Sequence, residues 1–229
     1  MSKKILLIYN LYQSFVRKDF EILSESNEVK RYQFQLEKNP FSFFAQQLKA
    51  IFFLLNKGKN YDVFYIWFCD YHAFTSVLVA KFLVKKSIII VGGFDSVSVP
   101  KIQYGIFYYN NLRAKMAKWA YRNCTKIITV DESLIKSKNQ YAGADSKTGV
   151  LNFVPEAENK IMAVATGYDK EFWKCTDQKV NTVLTIALVK NEKVFLRKGV
   201  DFILELAAEL PQYTFVLVGI QNEKLIDEK

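Results

Sequence analysis

The chain has 229 residues, 50% of them hydrophobic and 15% aromatic, enough apolar material for a substantial core and for one or two domains. Lys and Arg outnumber Asp and Glu by 32 to 23, and the resulting +9 favours anionic partners: phosphates, nucleotides, nucleic acid or an anionic membrane surface. Cys69, Cys124 and Cys175 are odd in number and widely spaced, which argues against a disulfide framework or a zinc site and for a reducing, cytoplasmic setting. The apolar segment after Lys3-Lys4 is too short for a secretory signal, and no run approaches the ~18 apolar residues of a spanning helix.

Lys4 to Tyr9 reads as a first strand, Asn10 to Ser14 as a loop, and Phe15, Ile22 and Leu23 as the face of a following helix. Val29 to Phe34 is a second strand. Asn39-Pro40 is a cap followed by an N1 proline, and Phe41, Phe44, Leu48, Ile51, Phe52 and Leu55 continue as the core face of a helix. Phe43, Phe53 and Leu54 fall outside that face. With Lys49 and Lys57 such an aromatic helix could rest on a bilayer, but burial on both sides, or against the other domain, is the reading preferred.

Asp62 to Phe68 is a strand, Ala73 to Lys85 a helix and Ser87 to Val91 a strand. The pair Gly92-Gly93 then opens a loop carrying Asp95. Leu112, Met116, Trp119 and Ala120 mark a further helix, with Lys115, Lys118 and Arg122 on the opposite side. Lys126 to Val130 is a strand and Glu132 to Gln140 a short helix. The alternation predicts an α/β fold with a doubly wound parallel sheet.

The polar stretch Tyr168 to Asn181 places a domain boundary, so the expected division is 1–167, a linker at 168–181, and 182–229. In the last part Thr182 to Leu188 reads as a strand, Gly199 to Leu210 as a helix and Tyr213 to Val218 as a strand, with Gly219 as its terminating turn. Two strands and a helix seldom fold alone. This unit is therefore expected either to join the first sheet or to be the start of a longer domain.

Several segments, taken in order, resemble the retaining glycosyltransferases of family 4, which have the two-Rossmann GT-B fold. They are Ser14-Phe15-Val16-Arg17-Lys18-Asp19, Trp67-Phe68 with Tyr71-His72-Ala73-Phe74, and Gly92-Gly93-Phe94-Asp95 through Tyr104-Gly105. Ile127-Ile128-Thr129-Val130 with Glu132-Ser133-Leu134, the turn Thr166-Gly167-Tyr168-Asp169, and Val183 to Gly219 with Arg197-Lys198-Gly199 follow. Ala187-Leu188 stand where the family has glycine followed by arginine. The family's paired glutamates lie beyond Lys229. The resemblance implies a Rossmann-like acceptor domain followed by an incomplete Rossmann-like nucleotide-sugar domain, a truncated chain inactive by itself.

It further implies transfer of a sugar from a nucleotide-sugar donor to a glycan or glycolipid acceptor in polysaccharide biosynthesis, with no metal and no cofactor. Peripheral contact with the inner face of an anionic membrane is compatible with it. On the acceptor side it points to Asp95 and His72 as catalytic residues, with Gly92 and Gly93 admitting substrate close to the backbone and Ser14 facing the donor phosphates. Lys198 and Arg197, read as lying just before a helix start, would bind the diphosphate together with Gly219.

The plain structural roles are a turn for Asp95, a buried ring for His72, an N-cap for Ser14 and solvated charges for Arg197 and Lys198. The rival functional reading is a non-catalytic module that binds a glycan, lipid or protein. Nucleic-acid binding ranks last, because the basic residues accompany no recognition motif.

Overall fold

The run Lys4–Tyr9 is apolar on both faces of its extended backbone, which suits a strand at the centre of a parallel sheet covered on both sides. In the computed structural model, which describes residues 2–35, 39–138, 142–168, 171–174 and 180–222, this run is β1. The chain divides into two compact units, Met1–Tyr168 and Asp169–Lys229.

The first unit is an α/β fold. Its strands β2 (Glu28–Gln33), β3 (Val63–Trp67), β4 (Lys86–Val91), β6 (Lys126–Thr129) and β8 (Ile161–Ala163) join β1 in a six-stranded parallel sheet ordered β2-β1-β3-β4-β6-β8. Two short strands, β5 (Val97–Ser98) and β7 (Lys147–Thr148), pair antiparallel beside it. The helices are α1 (Ser14–Ser24), α2 (Pro40–Lys57), α3 (Tyr71–Phe82) and α4 (Leu112–Asn123).

Alternation along the strands sorts the core into two faces. Leu6, Ile8, Phe64, Ile66, Ile89, Val91 and Ile127 pack under α2, α3 and α4. Leu7, Tyr9, Trp67 and Ile90 point the other way, against Val16 of α1. There Asp19 of α1 accepts hydrogen bonds from the Tyr65 hydroxyl (2.7 Å) and the Trp67 indole N–H (2.9 Å), fixing the helix over β3.

Helix α2 reverses the face expected from its periodicity. Leu54 and Ala50 are fully buried, Phe53 stacks on Tyr32 with ring centroids 4.4 Å apart, and Phe43 meets Tyr71 edge-on at 4.8 Å. Phe41, Phe44, Leu48, Phe52 and Leu55 face outwards instead, with Phe41 88% and Phe52 72% exposed. The helix is apolar on two opposite sides, and spacing alone does not say which one meets the sheet. The short helix expected from Glu132 to Gln140 is only a 3-10 turn, Glu132–Leu134; Asn139 and Gln140 lie outside the described residues, as do Asp169 and Cys175.

In the second unit β9 (Thr182–Val189) and β10 (Thr214–Ile220) pair in parallel, joined through α5 (Glu192–Arg197) and α6 (Val200–Glu209). Ala187, Val189, Phe195 and Val200 form its buried cluster. Leu184, Ile186 and Leu188 point to the opposite side of the strand pair and are exposed.

Candidate functional site

Successive strands are added on one side of β1 (β2) and then on the other (β3, β4, β6, β8), so the order reverses between β1 and β3. Ligands of open α/β sheets bind in the crevice outside the carboxyl ends of the strands at such a point. The loops after β1, β3 and β4 therefore frame the candidate site, and Ser14, His72, Gly92, Gly93 and Asp95 all lie on them or at the helix starts that follow.

The β4 loop is held from within. Asp95 is 1% exposed, and its carboxylate accepts the backbone N–H groups of Cys69 (2.9 Å), Gly93 (3.0 Å) and Gly92 (3.2 Å). Burial raises its pKa to about 6, against the lowering effect of those amides. The Tyr121 hydroxyl donates to the Asp95 carbonyl at 3.1 Å. With its oxygens turned to loop amides, Asp95 fixes the β3 and β4 loops relative to each other.

The two glycines of this loop do different things. A Cβ on Gly92 would stand 2.3 Å from the ring of Phe68, which is itself in the left-handed region at φ 66°. Gly92 is thus a packing necessity. Gly93, at φ 129°, has no atom within 4 Å of its Cβ position, so the space beside it is open, while its N–H is held by Asp95 and its carbonyl by Ser96.

His72, in the first turn of α3, is 2% exposed. Its Nε2 lies 2.8 Å from the Trp67 carbonyl, which fixes Nε2 as the protonated nitrogen of the neutral ring. Burial depresses its pKa, the Asp70 charge and the Trp67 bond raise it, and Arg113 lowers it. The ring also packs 5.9 Å from Phe34. His72 and Asp95 are therefore both enclosed behind the loops.

Ser14 is exposed as the first residue of α1, with Gln13 in the N-cap position and no side-chain cap bond to the first amides. The N-cap role expected for Ser14 thus falls one residue earlier. The amide end of α1 opens at the switch point, flanked by Phe15, which packs on Trp67 at 4.7 Å and on Phe68 at 5.7 Å.

Sequence reading missed the ion pair beneath the site. Asp70 caps α3 by accepting the Tyr71 N–H at 2.8 Å, and Arg113 donates to it from Nε (2.8 Å) and from its terminal nitrogen. The Arg113 guanidinium also lies 5.0 Å from the Phe94 ring centroid. An Asp before an apolar helix is a visible cap signal, but its partner is 43 residues away. Cys69 carries no nucleophilic character: burial holds its thiol well above the ordinary range. Among the described residues no cluster of three or more His, Cys, Asp or Glu could hold a metal.

In the second unit Arg197 ends α5 and Lys198 is its C-cap, so both cations sit at a helix carboxyl end, where the dipole favours them. The expected place just before a helix start holds for Lys198 relative to α6, but α5, which the sequence did not reveal, comes first. Gly199, left-handed at φ 67°, separates them from the amide end of α6. Gly219 is inside β10, at a bulge between Val218 and Ile220, and does not terminate it; its added Cβ would meet the Ala187 carbonyl at 2.7 Å.

No protein-family model matches the chain, and no curated protein matches it. Among solved structures it is similar to S. aureus MnaA in complex with UDP, at 12% identity and a TM-score of 0.51, over 98% of this chain and 64% of that one. MurG of Acinetobacter baumannii also matches, at 11% identity and a TM-score of 0.45, over 97% of this chain and 68% of that one. The chain thus spans about two thirds of the length of these proteins. What MnaA shares with it at this identity is the fold, a Rossmann-like α/β architecture built on a parallel sheet.

Proposed function

We propose that the chain is part of a GT-B glycosyltransferase that moves a sugar from a nucleotide-sugar donor to a glycan or glycolipid acceptor. The observation that carries this reading is the switch point between β1 and β3, with the open space beside Gly93 and the uncapped amide end of α1 at its mouth. The fold likeness to a UDP complex supports a nucleoside diphosphate as the donor's leaving group. Family 4, retention of configuration and independence of metal come from the sequence resemblance, and the cytoplasmic setting from the number and spacing of the cysteines.

In this reading the protein positions the reactants and stabilises the charge that grows on the departing diphosphate. Lys198 supplies positive charge beside the amide end of α6. Ser14 offers a polar contact at the amide end of α1, and Gly93 leaves steric room beside it. Asp95 and His72 hold the acceptor loops in place from within.

The test is calorimetric titration of the 229-residue chain with UDP. Binding with a Kd tighter than about 1 mM, weakened roughly tenfold by Lys198→Ala, supports the reading. A chain that binds UDP no better than UMP or inorganic phosphate overturns it and favours the non-catalytic module.

A further inference from the structure

The outward side of α2 presents Phe41, Phe44, Leu48, Phe52 and Leu55 within an arc of about 80° at 3.6 residues per turn. The buried residues Ala50 and Leu54 lie opposite, with Phe43 beside them. A helix that is apolar all round is ordinarily covered on both sides. Here one side packs on the sheet and the other, five large side chains long, does not. The neighbouring helix α3, which packs against α2, adds exposed Leu78 and Phe82.

The stretch of chain that carries these helices is also its basic part. From Asn39 to Val130 there are twelve Lys and Arg against three Asp and Glu, a surplus of nine equal to the whole net charge of the chain. Everything outside that segment is neutral as a set. Of the three acids within it, Asp70 is paired with Arg113 and Asp95 is buried; only Asp62, which accepts the Lys4 backbone N–H at 2.9 Å, is exposed. Helix α2 contains no acid at all, and Lys49, Lys57 and Lys59 stand exposed on it or just after it.

We propose that the exposed face of α2 is the surface by which this protein seats on an anionic lipid bilayer. The aromatic and leucine stripe enters the boundary between headgroups and acyl chains, and the lysines of α2 and of the α3 end engage anionic headgroups. Membrane affinity of this kind needs both signals together, apolar area and electrostatic attraction. A protein partner would have to bring a matching acidic and apolar groove, whereas an anionic bilayer supplies both features by its nature. No helix among the described residues is long and apolar enough to cross a membrane, so the contact lies in the interface plane. The inference is independent of the proposed activity.

The experiment is co-sedimentation of the full 229-residue chain with vesicles of phosphatidylcholine containing phosphatidylglycerol, against pure phosphatidylcholine vesicles. The expected result is binding to the anionic vesicles, weakened by added salt and weakened about tenfold or more by Phe44→Glu with Phe52→Glu. Lys49→Gln with Lys57→Gln and Lys59→Gln, which leaves every apolar contact in place, should weaken it as well. Thermal melting by circular dichroism checks that the variants fold. Failure to bind anionic vesicles, or undiminished binding by both variants, overturns the proposal. So does a wild-type dimer in light scattering that Phe52→Glu turns into monomers, since the face would then belong to a second copy.

Discussion

The carboxylate of Asp95 and the backbone amide of Cys69 lie 2.9 Å apart and tie the carboxyl end of β4 to that of β3. Two more amides, of Gly92 and Gly93, converge on the same side chain. Burial still outweighs them, so the folded pKa, about 6, stands above the ordinary carboxylate value. A raised folded pKa means that this group's contribution is full below about pH 4 and is lost as pH rises through about 6. Asp95→Asn does not titrate. Its deficit in Tm relative to wild type should therefore be larger at pH 4 than at pH 7.5; an equal deficit at both would show that the carboxyl titrates as it does in the unfolded chain.

His72 should give the opposite slope. Its folded pKa is depressed chiefly by burial, so the neutral ring is favoured and stability from this group is lost as pH falls below about 6.5. The chain has one histidine, so a single imidazole signal reports it in an NMR titration. The midpoint should lie below 6.5, with the proton on Nε2. A midpoint at or above that value would mean that the ring is solvated or newly paired.

The Asp70–Arg113 pair should be strongly coupled, because Asp70 is nearly buried and also caps α3. Arg113→Met leaves that carboxylate without its cation and should cost about 2–3 kcal/mol. Asp70→Asn keeps a capping oxygen and should cost less. In a double-mutant cycle by urea denaturation the interaction energy should exceed ~1 kcal/mol; additive losses would reduce the pair to a surface contact.

Gly92→Ala should destabilise the unit by about 1–3 kcal/mol, since the new methyl would overlap the Phe68 ring. Phe68→Leu introduced with it should recover part of the loss. Denaturant midpoints of the two variants check this, and a single variant as stable as wild type would show that the Phe68 ring moves aside freely.

The strands of the first unit were readable because β-branched and aromatic runs such as Ser87 to Val91 have little alternative use. Their lateral order was not, since it depends on pairings between residues far apart in the chain. The three-residue β8 and the six-residue α5 carry too little periodicity to stand out. Helix α2 shows the sharper limit: two apolar stripes satisfy the same period, and only packing against Tyr32 and Tyr71 selects Phe53 and Phe43 as the inner one. At the site, the sequence placed Asp95 at the correct strand end but not the direction of its carboxylate, which is decided by amides of Cys69, Gly92 and Gly93 in three dimensions. Arg113 had no local signal at all.

The bare side of the β9–β10 pair has its own practical outcome. Leu184, Leu188 and Ile186, the last 74% exposed, make a short flat apolar strip with no charge to interrupt it between Val183 and Val189. Expressed apart from the rest of the chain, residues 180–222 would offer that strip to their own copies and precipitate, and a solubility screen would have to begin by placing a lysine at Ile186.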